Sequence, residues 1–266
     1  MKNSTVIGLI LGLAAVLVGM ILKGASLSAF LNGAAFMIII VGTIGAVMVA
    51  FPLSELKKVG TLFKILFKER PLPEREQLIK QFVEWAGITR REGLLALEAR
   101  VDDIEDAFLK NGMRMIIDGN DQDLVRDVLL EDISATEERH KAGALIFTQA
   151  GTYAPTLGVL GAVVGLIAAL SDMSNMDKLA HAISAAFMAT LLGIFTGYVL
   201  WHPMANKLKR LSKQEIQIRL MMLEGLLSIQ SGVSTIAIEQ KLSVYLTPTE
   251  RKLMKQKEEG DVEQKA

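Results

Sequence analysis

Cysteine is absent from the chain, which excludes disulfide bonds, thiol catalysis and cysteine-ligated metal. The three histidines, His140, His181 and His202, lack the spacing of a zinc site. The sequence also contains no Walker A loop, dinucleotide-binding fingerprint, nucleophile elbow or HExxH motif. We therefore predict no metal centre, no cofactor and no enzyme activity. The formal net charge of zero indicates no partner by itself.

Charged residues are missing from long parts of the chain, and 51% of all residues are hydrophobic. Residues 144–170 and 179–201 contain no Lys, Arg, Asp or Glu. Each run exceeds the roughly 20 residues that a helix needs to cross about 30 Å of hydrocarbon. Because only a short polar link separates the two runs, they predict a transmembrane hairpin.

A second hairpin is predicted near the N-terminus, from residues 6–22 and 29–51. Lys23 follows the first run at once and another apolar run comes directly after it, which is unlike a cleaved signal peptide. We predict an all-α integral membrane protein: four transmembrane helices in two hairpins, a helical cytoplasmic insert and a long C-terminal cytoplasmic helix. The predicted domains are the first hairpin (1–51), the insert with a membrane-surface amphipathic helix (52–141), the second hairpin (142–203), a helical extension (204–248) and a disordered tail (249–266).

Basic residues indicate the orientation of the spans. They crowd just after the second and fourth spans, whereas the two hairpin links carry only Lys23 and Lys178. The positive-inside rule then places both termini in the cytoplasm. Within the insert, glycines at 87, 112 and 119 predict breaks between short helices, and Pro248 is expected to end the C-terminal helix.

Small residues recur along the second hairpin. Gly161/Gly165 and Gly193/Gly197 have the spacing that lets membrane helices approach closely. Close packing is the plainest interpretation of these glycines.

Two other features suggest a function. One is polar or helix-breaking chemistry at membrane depth, from Thr152, Thr156, Thr190 and Thr196 with Pro155 and Pro203. Each of these alone is also explained by backbone hydrogen bonding or by a tolerated kink. The other is a charged helix face formed by Arg90, Arg91 and Glu98, which an ordinary solvated helix would share.

Three segments in this order, with the hairpins around them, resemble the MotA family, the A subunits of bacterial flagellar stators. They are RREGLLALE at 90–98, AGTYAPTLG at 150–158 and GIFTGYVLWHP at 193–203. The resemblance covers nearly the whole chain except the tail after Pro248, and it is strongest to the proteins of Bacillus and its relatives.

The resemblance implies roles for individual residues. Arg90 and Glu98, with Arg91 beside them, match the charges that contact the rotor protein FliG. Pro155 and Pro203 match the two prolines that couple ion flow to movement.

Thr190 matches a threonine beside the ion path. Ala162 occupies the position at which sodium-driven relatives have threonine, and this favours the proton as the coupling ion. Thr156 lies nearby and could serve a sodium ion, so a sodium-driven protein stays an alternative.

A partner is also required, because the spans contain no ionisable group at mid-depth that could relay a proton. The family implies a single-span MotB partner that supplies a membrane Asp and a peptidoglycan-binding domain, with five A subunits around two B subunits in the bacterial inner membrane. The alternatives are a sodium-driven stator subunit or a TolQ/ExbB-like energiser. The TolQ/ExbB type has three spans, so the first hairpin argues against it.

Overall fold

The computed structural model describes residues 4–24, 33–68, 71–171 and 176–263, and the regular elements among them are all helical. Residues 29–32 of the predicted second span and 264–266 of the predicted tail lie outside this description. The elements in chain order are α1 (Ser4–Leu22), α2 (Gly33–Phe36), π1 (Met37–Val41), α3 (Gly42–Ala50), α4 (Leu53–Leu56), α5 (Val59–Phe67), α6 (Arg75–Glu92), a 3-10 turn (Leu94–Leu97), α7 (Glu98–Val101), α8 (Ala107–Ile117), α9 (Gln122–Leu170), α10 (Met176–Phe195), π2 (Thr196–Trp201), α11 (His202–Gln230), α12 (Thr235–Leu242), a second 3-10 turn (Ser243–Tyr245) and α13 (Pro248–Glu263).

The chain forms two compact units. Met1–Arg70 and Arg139–Leu211 make up the first, here called the membrane unit. Pro71–Glu138 and Ser212–Ala266 make up the second, here called the soluble unit. The boundaries fall inside α9 and α11, so they differ from the predicted divisions at 141/142 and 203/204.

Within the described ranges, four helices are long and apolar enough to cross a membrane, and they begin at Ser4, Gly33, Gln122 and Leu179. This confirms the predicted four-span, all-α fold. Large apolar side chains point outward from these helices, for example Leu11 (63% exposed) and Phe187 (74% exposed). Such a surface is stable against lipid or other helices rather than against water.

The amphipathic segment after the second span belongs to the membrane unit. On α5, Leu66 is fully buried in a cluster with Phe147 and Met204, while Lys64 and Lys68 are exposed. The Nζ of Lys207 donates to the carbonyl oxygen of Leu66 at 3.0 Å, which ties the end of α5 to α11. The predicted amphipathic segment therefore forms a helix that packs on the spans, and its location at the membrane surface stays a prediction.

The soluble unit has its own apolar core, built from α6, α8, α12 and the adjoining parts of α9 and α11. Phe82 is fully buried there, and a Cβ on Gly225 would lie 2.6 Å from its ring. The predicted breaks at Gly87 and Gly112 are wrong, because both glycines lie inside helices. Gly112 is instead a packing position, since a Cβ there would meet the side chains of Leu226 and Leu129.

The C-terminal region differs from the sequence prediction in one respect. Pro248 does not precede a disordered tail but opens α13, where a proline at the first helical position loses no hydrogen bond. Thr247 and Glu250 form a reciprocal cap: each backbone N–H donates to the other side chain, at 2.7 and 3.3 Å. Met254 on this helix is buried in the core of the soluble unit, which explains why the charged segment folds.

Candidate functional site

Helices α9 and α10 are in backbone contact within the membrane unit. A Cβ added to Gly158 would lie 2.9 Å from the carbonyl oxygen of Ala189 and 3.0 Å from the Cα of Gly193. A Cβ added to Gly193 would lie 2.8 Å from the carbonyl oxygen of Ala154. Only glycine fits at both positions, because real Cβ atoms do not approach other atoms this closely.

The same contact line continues through two more glycines, and we call Gly151, Gly158, Gly193 and Gly197 the glycine seam. A Cβ on Gly197 would lie 2.7 Å from the Cγ of Pro155, and one on Gly151 would lie 2.8 Å from the ring of His202. The close approach predicted for Gly193 and Gly197 is confirmed.

The prediction for the other glycine pair is only half right. A Cβ on Gly161 would make an ordinary contact of 3.6 Å with the Cβ of Ala189. Around Gly165, the described part of the chain places no atom within 4 Å of an added Cβ. The sequence pattern assigned a close helix contact to Gly165, but the residue of α9 that makes such a contact is Gly158, seven residues after Gly151.

Pro155 lies inside α9 and is packed against the glycine seam. It has no N–H, so the carbonyl oxygen of Gly151 lacks the donor that a helix normally supplies four residues later. That oxygen would lie 2.8 Å from a Cβ on Gly197. The carbonyl oxygen of Gly151, which lacks its helical donor, therefore faces Gly197, and only a glycine leaves room for it there.

Pro203 is the second residue of α11, one residue after the end of the wide turn π2. The N–H of His202 donates to the carbonyl oxygen of Gly197, five residues back. A proline two residues into a helix removes a donor, and the π turn changes the pairing around that gap. Thr196 is buried in π2 and donates its hydroxyl to the carbonyl oxygen of Leu192 at 2.9 Å.

Sequence reasoning named both prolines but missed the π turn between them. Its only signal was Pro203 at the end of an apolar run. Pro203 lines a cleft of about 360 Å³ that also includes Thr5, Tyr198 and Lys207. The Nζ of Lys207 donates to the Oγ1 of Thr5 at 2.7 Å, a bond between α1 and α11 that no sequence pattern predicts.

The structure brings two of the predicted ion-path residues to one level. Gly161 and Ala189 lie across from each other, and Ala162 and Thr190 are the next residue on each helix. Both are half-buried, and the Thr190 hydroxyl donates to the carbonyl oxygen of Ala186 at 3.2 Å. Its oxygen keeps free lone pairs, so it is able to accept from water or bind a cation.

Thr156 lies apart from that level, on an exposed face of α9. Its hydroxyl donates to the carbonyl oxygen of Tyr153 at 2.7 Å. Like Thr152, which donates to Thr148 at 3.1 Å, it uses its proton on its own helix. The apolar runs contain no Asp or Glu, so this chain supplies oxygen acceptors there but no carboxylate that could bind a proton.

The three predicted rotor-contact residues do not share one helix. Arg90 and Arg91 lie in the last turn of α6, and Glu98 begins α7. Gly93, with φ +82° and ψ 170°, turns the chain between them, a backbone conformation that side chains disfavour. All three side chains are exposed, and within the described residues neither Arg90 nor Glu98 forms an ion pair.

The short helix α7 is held by the acidic residue that follows it. Asp102 forms ion pairs at 3.2 Å with both Lys110 and Arg114 of α8. The hydrogen bond from Lys110, with help from Arg114, lowers the pKa of Asp102 below its ordinary value. These pairs tie the end of α7, the helix that Glu98 begins, to α8.

Comparison with known proteins assigns the chain to a family. Residues 100–221 match the MotA/TolQ/ExbB proton channel family, and residues 6–91 match the N-terminal part of motility protein A. Motility protein A of Bacillus subtilis is 60% identical over 99% of this chain and 97% of its own length.

Two solved structures are similar over nearly the whole fold. The flagellar MotAB stator complex from Bacillus subtilis contains a chain that matches with a TM-score of 0.89 and 61% identity, covering 94% of this chain and 98% of that one. MotAB of C. jejuni matches with a TM-score of 0.88 and 33% identity over 93% and 97%. The chain therefore belongs to the motility protein A group of the MotA/TolQ/ExbB proton channel family.

Proposed function

We propose that this protein is the A subunit of a flagellar stator, which couples proton flow across the bacterial inner membrane to torque on the rotor. The observation that carries the proposal is the full-length similarity, in sequence and structure, to motility protein A and to a chain of a flagellar stator complex. Four spans, with an N-terminal hairpin that matches motility protein A, favour a stator over a TolQ/ExbB-like energiser.

The proton-binding group comes from a partner. Moving a proton through a membrane requires an ionisable group within the membrane. Such groups are rare in transmembrane helices and are functional where they occur. The apolar runs of this chain contain no such carboxylate. A MotB-type single-span subunit supplies the Asp, with five A subunits arranged around two B subunits.

The chain's own residues guide the ion and transmit movement. Thr190 offers an oxygen beside the path, and Ala162 at the same level offers only a methyl group. When the partner's carboxylate gains or loses a proton, its attraction to nearby oxygens changes. Pro155 packs against Gly197, and through this contact it transmits the resulting shift of α9 to π2 and Pro203.

The membrane potential is sufficient to drive such a shift. Each charge that crosses yields about 2.3 kcal/mol per 100 mV. Both termini lie in the cytoplasm, where Arg90, Arg91 and Glu98 contact the rotor protein FliG. Their exposure and the lack of ion pairs for Arg90 and Glu98 among the described residues suit such a contact.

A complementation experiment tests the function. We expect this chain, produced with the B-type protein encoded beside it, to restore rotation of tethered cells in a strain that lacks stators. The matched control is the same pair with the partner's membrane Asp changed to Asn, which should assemble and not rotate. Rotation with that control would contradict the proposed proton path. Absence of rotation with the intact pair, when both proteins reach the membrane, would contradict the stator assignment.

A further inference from the structure

A largely apolar cavity of about 350 Å³ lies in the membrane unit. It is bounded by α3, α4, α5, α9 and the last residue of π2. The rings of Phe63 and Phe147 pack edge to face with centroids 5.2 Å apart, and Trp201 lies 6.2 Å from Phe147. Ile44 and Met48, both more than half exposed, stand at the cavity as well.

Two buried hydrogen-bond donors line this cavity, and neither has a partner among the described residues. One is the Oγ1 of Thr43, a residue that is 3% exposed, and the other is the Nε1 of Trp201. Buried donors normally find an acceptor, because an unmade hydrogen bond costs stability. Both atoms therefore indicate a ligand that brings acceptor oxygens into an otherwise apolar space.

The hydroxyl of Thr43 differs from those of the other span threonines. Thr148, Thr152 and Thr190 each donate to the carbonyl oxygen four residues earlier. For Thr43 that oxygen belongs to Ile39, in the wide turn π1, where the N–H of Gly42 donates to it. Among the described residues the Thr43 hydroxyl makes no such bond, and the residue lines the cavity.

The surroundings identify the chemical class of the ligand. Water would satisfy the two donors but not the apolar walls, since apolar cavities of this kind stay dry. An acyl chain fits the walls, and its ester oxygens accept hydrogen bonds. Lys57, Lys58 and Lys64 are exposed beside the lining residues of α4 and α5, which suits the negative headgroups of the inner leaflet.

We propose that this cavity binds an anionic phospholipid, with an acyl chain against the aromatic cluster and ester oxygens accepting hydrogen bonds from Trp201 Nε1 and Thr43 Oγ1. The site is separate from the ion path and from the rotor-contact residues. It joins the amphipathic helix α5 to the second, third and fourth spans through a lipid.

Native mass spectrometry of the whole complex with its B-type partner tests the proposal. The complex is reconstituted in vesicles of equal parts phosphatidylglycerol and phosphatidylethanolamine, and the lipids it retains after release into detergent are counted. We expect retained phosphatidylglycerol in proportion to the number of A subunits. Thr43→Val and Trp201→Phe should each lower the affinity about two- to tenfold, the value of one neutral hydrogen bond.

Matched substitutions elsewhere serve as controls. Thr148→Val removes a hydroxyl that bonds its own helix, and Trp85→Phe removes an indole buried in the soluble unit. Both should leave lipid retention unchanged. Ala150→Leu narrows the cavity directly and should displace the lipid from assembled complexes.

Three results would overturn the lipid site. They are no phospholipid retained by the intact complex, equal retention of the two lipids, and retention that responds to the control substitutions as much as to Thr43→Val and Trp201→Phe. Because only assembled complexes are counted, loss of folding in one variant does not imitate loss of lipid.

Discussion

Gly158 on α9 and Gly193 on α10 leave no space for a side chain between them, since a methyl group on either would lie within 3.0 Å of the other's Cα. The two spans therefore meet backbone to backbone at this point, and any larger residue at either position would push them apart.

Enlarging the glycine seam should impair the motor. Gly158→Ala inserts a methyl group against the backbone of α10, and overpacking of this kind costs about 1–3 kcal/mol. We expect less assembled complex in the membrane and lower torque on tethered cells. Gly165→Ala is the control, because the described chain has no atom within 4 Å of the added group. Equal effects of the two substitutions would show that the contact has no special role.

Pro155→Leu should give motors that assemble but stall. Leucine restores an N–H that is able to bond the carbonyl oxygen of Gly151, so α9 loses its break opposite Gly197. The measurement is rotation speed at equal membrane amounts of the protein. Pro52→Leu, at the exposed start of α4, should leave rotation unchanged. Unchanged swimming with Pro155→Leu would show that this proline contributes to packing and not to the coupling of ion flow to movement.

Reversing the rotor-contact charges together should lower torque without affecting assembly. Arg90→Glu combined with Glu98→Lys is the informative change, because exposed charges singly contribute only about 0–1 kcal/mol and Arg91 is able to compensate. The control exchanges an exposed pair of the same unit, Glu84→Lys with Arg100→Glu, whose side chains lie 2.8 Å apart. Wild-type torque in the first double variant would show that Arg90 and Glu98 belong to an ordinary solvated surface and do not contact the rotor.

The coupling ion should be the proton. A sodium ion must exchange its water shell for several fixed oxygens, and Ala162 offers none at the level of Thr190. Swimming should collapse with a protonophore at neutral external pH and should not depend on external sodium. Speed that follows external sodium at a constant proton gradient would contradict this, and would direct attention to Thr156 and the carbonyl oxygens near Pro155.

The cap of α13 should make this helix sensitive to acid. The backbone N–H and hydroxyl of Thr247 lower the pKa of Glu250, so the carboxylate contributes stability above its ordinary pKa. This contribution is lost as the pH falls through the lowered value. Protease cleavage within α13 should therefore accelerate on acidification.

Removing the hydroxyl of the cap should reduce that dependence without abolishing it, because the backbone N–H at position 247 still donates to Glu250. Thr247→Ala should weaken α13 by about 1 kcal/mol and make its cleavage faster at neutral pH. Thr249→Ala, one position inside the helix and outside the cap, is the control. Cleavage that is independent of pH in the unaltered protein would contradict a role for Glu250.

The sequence alone was sufficient for the spans. Long charge-free runs have one stable solution in hydrocarbon, because every backbone N–H and carbonyl must be bonded within the segment. The helical insert followed in the same way from apolar periodicity. Where a helix ends was less predictable: Gly87 and Gly112 are used for packing, while Gly93 turns the chain and separates Arg90 from Glu98.

Pro248 shows the same limit at the C-terminus. A proline is compatible with ending one helix or beginning another, and Thr247 with Glu250 decides for the second. The signal was present as a capping pattern, but the low apolar content of the tail outweighed it.

Residue types and their order determined the membrane class, the four spans and the family resemblance, since these depend on composition along the chain. Which glycine touches which helix, the π turns beside Thr43 and Pro203, and the cavity with its two unpaired donors were decided by tertiary structure. The reason is that a side chain's partner depends on distances between helices, and these are set by packing of residues far apart in sequence.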